Sequence, residues 1–355
     1  MTPFVYTANP VRVQFGSDLL KTAVAEEVTR IGAKRPMILT TPEQESDGRK
    51  LAEYLTAFEC SIFHGARMHT PVDTTLRAME DVARRQTDCL IALGGGSTIG
   101  LAKAIALRTD LHQIAIPTTY AGSEATPILG ETENGVKTTQ SSPRIQPEVI
   151  IYDVDLTLSL PPALSATSGI NAIAHAVEGL YSKQANPIIS LIAEEGIRAL
   201  ASGLPQLIND PANKEARSNA LYGAWLCGTT LGAVGMAIHH KLCHALGGAF
   251  DLPHSQTHTI ILPHALAYNA PYVSDALMRI GRAMGTDNAP LALYELARSL
   301  GAPTALKDLG MPRHGIDRIV ELTFRNQYWN PAPLEETRLR GLLLRAWEGQ
   351  PPVID

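Results

Sequence analysis

The sequence predicts an α/β domain followed by an all-helical domain, and three observations point there. The first 155 or so residues alternate short β-rich runs with helix-period stretches. After Asp155 strand signals nearly vanish, and apolar helical segments punctuated by Pro and Gly take over. The length, 355 residues, exceeds the roughly 250–300 that one hydrophobic core organises.

Taken in order, strands are predicted at Val11–Phe15, Pro36–Thr40, Ser61–Phe63, Cys89–Leu93, Gln113–Pro117 and Val149–Tyr152. Helix-period stretches at Asp47–Phe58 and Thr74–Arg85 lie between them, so the strands connect by crossovers into a parallel layer. In the second half, Val177–Tyr181, Ser190–Ala201, Ala216–Val234, Ala276–Met284 and Leu291–Leu300 all read as helical. The boundary falls near Asp155–Pro162, which gives domains at 1–157 and 158–355.

Composition narrows the function classes. A hydrophobic fraction of 45% with 18% charged residues is that of a packed globular protein. A net charge of -5 leaves no basic footprint, so neither nucleic acid nor an anionic membrane is an expected partner. The opening residues lack a basic region followed by an apolar run, and no secretory leader is expected. Cys60, Cys89, Cys227 and Cys243 form no CxxC pair and read as reduced thiols of a cytoplasmic protein.

The run "LIALGGGSTIGLAKAIAL" joins strand Cys89–Leu93 to a helix at Ile99–Ala106 through Gly94, Gly95, Gly96 and Ser97. Glycines let backbone N–H groups approach a ligand, and a helix N-terminus favours negative charge, so a phosphate fits. Close helix packing would also use glycines here. The pattern is neither GxGxxG, since position 99 is Ile99, nor a P-loop. The next strand ends in a second polar turn with Thr118, Thr119, Gly122 and Ser123. Two such turns on neighbouring strands make a crevice for a dinucleotide pyrophosphate.

The helical half holds Asn171 and His175 at i,i+4, then "AIHHKLCHALGGAFDLPH", with His240 and His244 also at i,i+4 and His254 after a proline. A lone helix histidine is usually a core residue, but two spaced pairs point to a polar site. His258 and His264 read as structural.

These motifs, in this order, resemble the iron-containing (group III) alcohol dehydrogenase family. The resemblance implies a dehydroquinate synthase-like architecture, with an N-terminal nucleotide-binding domain and a helical catalytic domain. It also implies a metal held by an aspartate and three histidines, positions that fall here on Asn171, His175, His240 and His254, with His244 near the nicotinamide. Lys137 matches a family position near the nucleotide. This chain departs in three places: Asn171 replaces the anionic ligand, Gly100 stands at the aspartate of GGGSxxD, and Thr40 and Thr41 stand where an acid would bind the adenosine ribose.

"PTTYAGSE" with Tyr120, "NAIAHAVEGLYS" and "YWNPAPLEETRLRGLL" are similar to family members that reduce the carbon–carbon double bond of a dicarboxylate enone. The resemblance therefore implies an NADH- or NADPH-dependent oxidoreductase of aromatic-compound degradation, a homodimer that requires no metal. His175, His239, His240, His244, His254 and Lys241 would then wall an anion pocket. The rival within the family is a metal-dependent alcohol or aldehyde oxidoreductase. Outside it stand a lyase such as the dehydroquinate synthases and a non-catalytic nucleotide-binding scaffold.

Overall fold

The structure is a computed structural model in which residues 3–8, 10–133, 135–325 and 328–354 are described, apart from the side chain of Lys137. The chain divides into two compact units, Ala8–Leu160 and a second that starts at Pro161 and takes in residues 3–7.

In the first unit, β1 (Arg12–Gly16), α1 (Ala23–Ile31), β2 (Pro36–Leu39), α2 (Glu45–Tyr54), β3 (Ser61–Phe63) and α3 (Val72–Arg85) lead to β4 (Cys89–Gly94). Then come α4 (Gly96–Thr109), β5 (His112–Pro117), the hairpin β6 (Ile128–Glu133) and β7 (Val136–Ser141), and β8 (Val149–Asp153). Six strands form one parallel sheet in the order β1-β8-β5-β4-β2-β3.

Every residue of β4 is buried. Its alternation explains this: Ile91 and Leu93 pack with Val24, Val28 and Leu51, while Leu90 and Ala92 pack with Ala78, Val82, Leu101 and Ile105. Helices thus cover both faces, and a strand covered twice reads as an unbroken apolar run. The chain leaves β2 outward to β3, returns across it to β4 and then proceeds the other way through β5 to β8. The strand order reverses between β2 and β4, and ligands of open parallel sheets bind beyond the carboxyl ends of strands at such a point.

The second unit is helical: α5 (Pro162–Leu180), α6 (Pro187–Asn209), α7 (Lys214–Ala233), α8 (Ile238–Phe250), α9 (His254–Asn269), α10 (Ser274–Met284), α11 (Ala289–Ser299), α12 (Gly315–Arg325) and α13 (Glu336–Glu348). α5 is buried from Ser165 to Leu180, because its Ala, Gly and Ile side chains let α6, α7 and α9 pack around it. α8 stops where Asp251 turns left-handed (φ 53°), and Pro253 precedes α9. Among the described residues no single helix is long and apolar enough to cross a membrane.

The six predicted strands stand where expected, with ends shifted by a residue or so. Among the elements not predicted are β6, β7 and α1, together with α9, α12 and α13 of the helical unit. β6 and β7 carry Glu, Lys, Gln and Thr on a largely solvent-facing hairpin and so lack an apolar run. α1 is short and holds only one buried stripe. α4 begins at Gly96 rather than Ile99, because the glycines supply its first turn.

Candidate functional site

One candidate site lies in the α/β unit. Gly94 adopts φ +152°, and a Cβ there would meet Gln44 Oε1 and Thr98 Oγ1 at 2.6 Å. Gly95 is the N-cap of α4, and its Cβ would meet Thr119 Cγ2 at 2.9 Å. The first turn of α4 holds no acidic residue and no side chain caps it, which leaves the amides of Gly96 and Ser97 at the positive end of the helix dipole. Thr118 N donates to the Gly94 carbonyl (3.1 Å), binding the two polar turns together. The buried hydroxyls of Thr40, Thr98 and Ser123 have no hydrogen-bond partner, as expected of groups that wait for a ligand. Free amides at a helix N-terminus beside glycines and unpartnered hydroxyls can accept an anion, a pyrophosphate among them.

Three details were not legible beforehand. Gln44 donates through Nε2 to Thr118 Oγ1 (3.1 Å), so it spans the two turns. Gly100 lies against Thr70 Oγ1, which leaves no room for the aspartate that other family members carry at this position. Thr40 is fully buried and Thr41 partly exposed, so Thr41 is the accessible residue of the pair. The Thr41 side chain bonds the Glu43 carboxylate, which lies below its ordinary range from hydrogen bonds to its own backbone and to Thr41. An acid therefore does stand near the end of β2, two residues later than the family pattern has it. Tyr120 is fully buried in the second turn. Lys137 falls on β7, and its side chain lies outside the described residues.

A separate candidate site lies in the helical unit, and Glu178 organises it. Five donors converge on this fully buried carboxylate. Its Oε1 accepts from His239 N (2.8 Å) and Tyr181 Oη (3.4 Å), and its Oε2 from Ala237 N (2.9 Å), His240 N (3.3 Å) and His240 Nδ1 (2.7 Å). A side chain of α5 thus caps the N-terminus of α8 and holds a ring of α8 at once. His240 Nδ1 carries the proton toward Glu178, so Nε2 is the acceptor; it lies 2.9 Å from His175 Nδ1, which then donates. The chain Glu178–His240–His175 fixes both tautomers and ends at His175 Nε2.

Around this chain the helices gather further rings. His258 of α9 stacks near His254 (centroids 4.2 Å), His239 (4.7 Å) and His240 (5.0 Å), and His244 lies 6.4 Å from His240. His244 and His254 are exposed, while Asn171 and His175 are each 4% exposed. Lys241 Nζ sits 5.2 Å over the Tyr328 ring. His239, expected in the anion-binding wall, is instead fully buried and bonded to His258 Nδ1 (2.9 Å). Burial first, then neighbouring rings, push His239 and His258 well below the ordinary histidine range, so both stay neutral. They are packing groups and not a cationic wall.

The iron that the resemblance implies can be tested against this donor set. Asn171 offers a neutral amide oxygen, buried and without a partner, in place of a carboxylate. Glu178, the nearby acid, is committed to α8, and His240 Nε2 is committed to His175. Asn171 and the three imidazoles are all neutral donors, so a divalent cation held there would keep its full charge, which a carboxylate at position 171 would have offset. A second trio, His239, Cys243 and His258, has ligand atoms within 4.8 Å of one another. There the two imidazoles share a hydrogen bond, and burial, with Glu178 adding, holds the thiol well above its ordinary range.

Sequence reasoning missed Glu178, although a signal existed: it is the only acid in the nineteen residues of α5, one turn beyond His175. It also missed Gln44 and Glu43.

The chain resembles known proteins along its length. Residues 10–154 match the family described as iron-containing alcohol dehydrogenase, and residues 165–347 match its C-terminal domain. A maleylacetate reductase of Rhizobium sp. (strain MTP-10005) is 53% identical, covering 99% of this chain and 100% of that protein. One from Burkholderia cepacia is 50% identical with the same coverage. The crystal structure of maleylacetate reductase from Agrobacterium tumefaciens superposes with a TM-score of 0.96, at 52% identity over 99% of this chain and all of that one. With both halves matched and half of all positions shared, the chain belongs to the iron-containing alcohol dehydrogenase family.

Proposed function

We propose that the chain reduces the carbon–carbon double bond of maleylacetate with NADH or NADPH, giving 3-oxoadipate. The relatives' name suggests the substrate. The observation that carries the reading is the Glu178–His240–His175 chain beside a neutral Asn171. Conjugate reduction needs a hydride at the alkene carbon β to the ketone, whose electron pair moves onto the ketone oxygen. It then needs a proton at the adjacent carbon. The nicotinamide supplies the hydride, and its phosphates suit the cradle of Gly94–Ser97 and Thr118–Ser123.

His175 supplies the proton from Nε2. Its Nδ1–H stays on His175, donated to His240 Nε2, and Glu178 stabilises the positive charge that the pair carries before Nε2 gives up its proton. His244, His254 and Lys241 attract the dianion. Asn171 contributes an amide in place of a carboxylate that would repel it, and Tyr120 completes the substrate-side residues. The reaction needs no metal in this reading. It belongs to aromatic-ring degradation in the cytoplasm, with a homodimer as the working form.

The test is NADH consumption followed by absorbance with maleylacetate, with and without chelator. Turnover should persist in chelator, and the purified protein should hold less than stoichiometric iron or zinc. Asn171→Asp should raise metal affinity and lower the reductase rate. One metal per chain, with activity lost on its removal, would select a metal-dependent alcohol or aldehyde oxidoreductase.

A further inference from the structure

α4 is an apolar helix with one lysine in its interior, Lys103, 1% exposed. Its Nζ donates to the carbonyl oxygens of Ser123, Thr126 (2.7 Å) and Ile128 (3.0 Å) and to Thr126 Oγ1 (3.0 Å). All four acceptors come from the segment between the second polar turn and β6. None is a carboxylate: Glu124, inside the same segment, accepts from Tyr152 Oη (2.9 Å). Burial pulls Lys103 down to about 7 and Glu124 opposes it. The three N–H groups of the ammonium meet three carbonyl oxygens and the Thr126 hydroxyl, which itself donates to the Ser123 carbonyl (3.0 Å), so a charged donor suits this sphere. This is the coordination sphere of a monovalent cation, filled by a side chain.

Elsewhere the segment is held by Gln146 Nε2 on the Glu124 carbonyl (3.4 Å), Tyr152 Oη on the Glu124 carboxyl (2.9 Å) and Ser142 N on the Pro127 carbonyl (3.1 Å). Among the described residues the Ser123 carbonyl itself accepts, besides Lys103, only from Thr126, through its N (3.3 Å) and its Oγ1 (3.0 Å). Lys103 lies seven residues beyond Gly96, two turns along the same face of α4. The residue whose carbonyl it holds, Ser123, places its partnerless hydroxyl 4.0 Å from a Cβ built on Gly96. Ordering one side of Ser123 therefore sets the other side against the helix N-terminus.

We propose that the Lys103 ammonium is a built-in monovalent cation that positions the Gly122–Ser123 turn for the dinucleotide phosphates. The proposal rests on the reading of the glycine turn as the nucleotide site. Lys103 is a positioning residue, since it touches neither cofactor nor substrate.

The experiment removes the tethered cation and returns a free one. Lys103→Ala should raise the NADH dissociation constant, measured by fluorescence titration, by about tenfold or more, as charged hydrogen bonds are lost. KM for NADH should rise in parallel while kcat at saturating NADH stays within about threefold. Ammonium or methylammonium should restore most of the affinity, and choline at the same ionic strength should not. Lys103→Met, which fills the channel without a charge, should lose affinity and resist rescue. A Met variant with wild-type affinity would overturn the proposal, as would an Ala variant whose weakened binding, or failure to fold, is indifferent to ammonium. If the wild-type chain bound no dinucleotide, the reading of the glycine turn itself would fall, whatever the variants do.

Discussion

Replacing Glu178 by Gln removes one charge and no volume, at a position with zero exposure. The carboxylate accepts five hydrogen bonds, and Gln has one carbonyl oxygen to offer. The better orientation keeps that oxygen on the Oε2 side, where Ala237 N, His240 N and His240 Nδ1 converge. The new NH2 then faces His239 N, formerly 2.8 Å from Oε1, and Tyr181 Oη. A donor opposed to a buried donor costs about 1–3 kcal/mol of stability, so the variant folds with a lowered melting temperature.

The catalytic loss is larger. Without the anion, a protonated His240–His175 pair is no longer stabilised, and His240 is no longer obliged to keep its proton on Nδ1. A comparable carboxylate-to-amide change behind a catalytic histidine costs about ten-thousandfold in rate. For the present chain we expect a fall in kcat of about 10²–10⁴, or roughly 3–5 kcal/mol. Rapid-mixing kinetics with NADH and maleylacetate would measure it. The dissociation constant for NADH should not change, because the nucleotide turns belong to the other unit. The solvent isotope effect should grow as proton delivery becomes slower than hydride transfer. A variant within about threefold of wild-type kcat, destabilised but fully active, would refute the proton chain and leave Glu178 a helix cap.

Three further outcomes follow from named contacts. Gly96→Asp has room for its Cβ, with Ser123 Oγ at 4.0 Å the nearest atom, so the fold should survive. Its carboxylate should weaken NADH binding by at least about a hundredfold in a fluorescence titration, because it occupies the anion's place. Glu43→Gln should raise kcat/KM for NADPH relative to NADH by about tenfold, one charge's worth of repulsion against a 2′-phosphate; an unchanged ratio would place the phosphate elsewhere. His264, buried beside Arg345, is pushed from its ordinary 6.5 down to about 3. The unfolded chain therefore binds a proton there that the folded chain refuses, so stability falls as the pH drops through that window, by about 1.4 kcal/mol per unit. Denaturant titrations at pH 6.5 and 5 should show the wild type losing about 2 kcal/mol more than His264→Leu.

How far the sequence revealed the molecule depended on whether the cause was local. The parallel strands were legible because burial on both faces writes an unbroken apolar run, as in Cys89–Gly94. The hairpin of β6 and β7 was not, since half-exposed Thr, Glu and Gln carry no such run. The glycine turn was legible as a strand-to-helix turn, yet the reason for Gly100 was not, because Thr70 arrives from thirty residues away. Histidine spacing brought out the cluster of rings, but which rings bond to which depended on α8 and α9 meeting. His239 faces His258, and His240 faces His175.

The cation that the family's name implies and the proton chain proposed for this site make opposite demands on the same ring. A metal at His240 Nε2 needs that lone pair and tolerates a carboxylate at position 171. The proton chain needs the same lone pair for His175 Nδ1 and tolerates no extra negative charge near a dianion. The position of Glu178 serves either chemistry, since it orients His240 through Nδ1 in both. What separates them is Asn171, whose oxygen lies buried without a partner. Asn171→Asp and Glu178→Gln should therefore fail differently. The first should lose rate and gain zinc or iron by elemental analysis, while the second should lose rate with metal content unchanged. If Asn171→Asp instead kept full activity with no bound metal, the charge at position 171 would not be what turns this site from a cation to an anion.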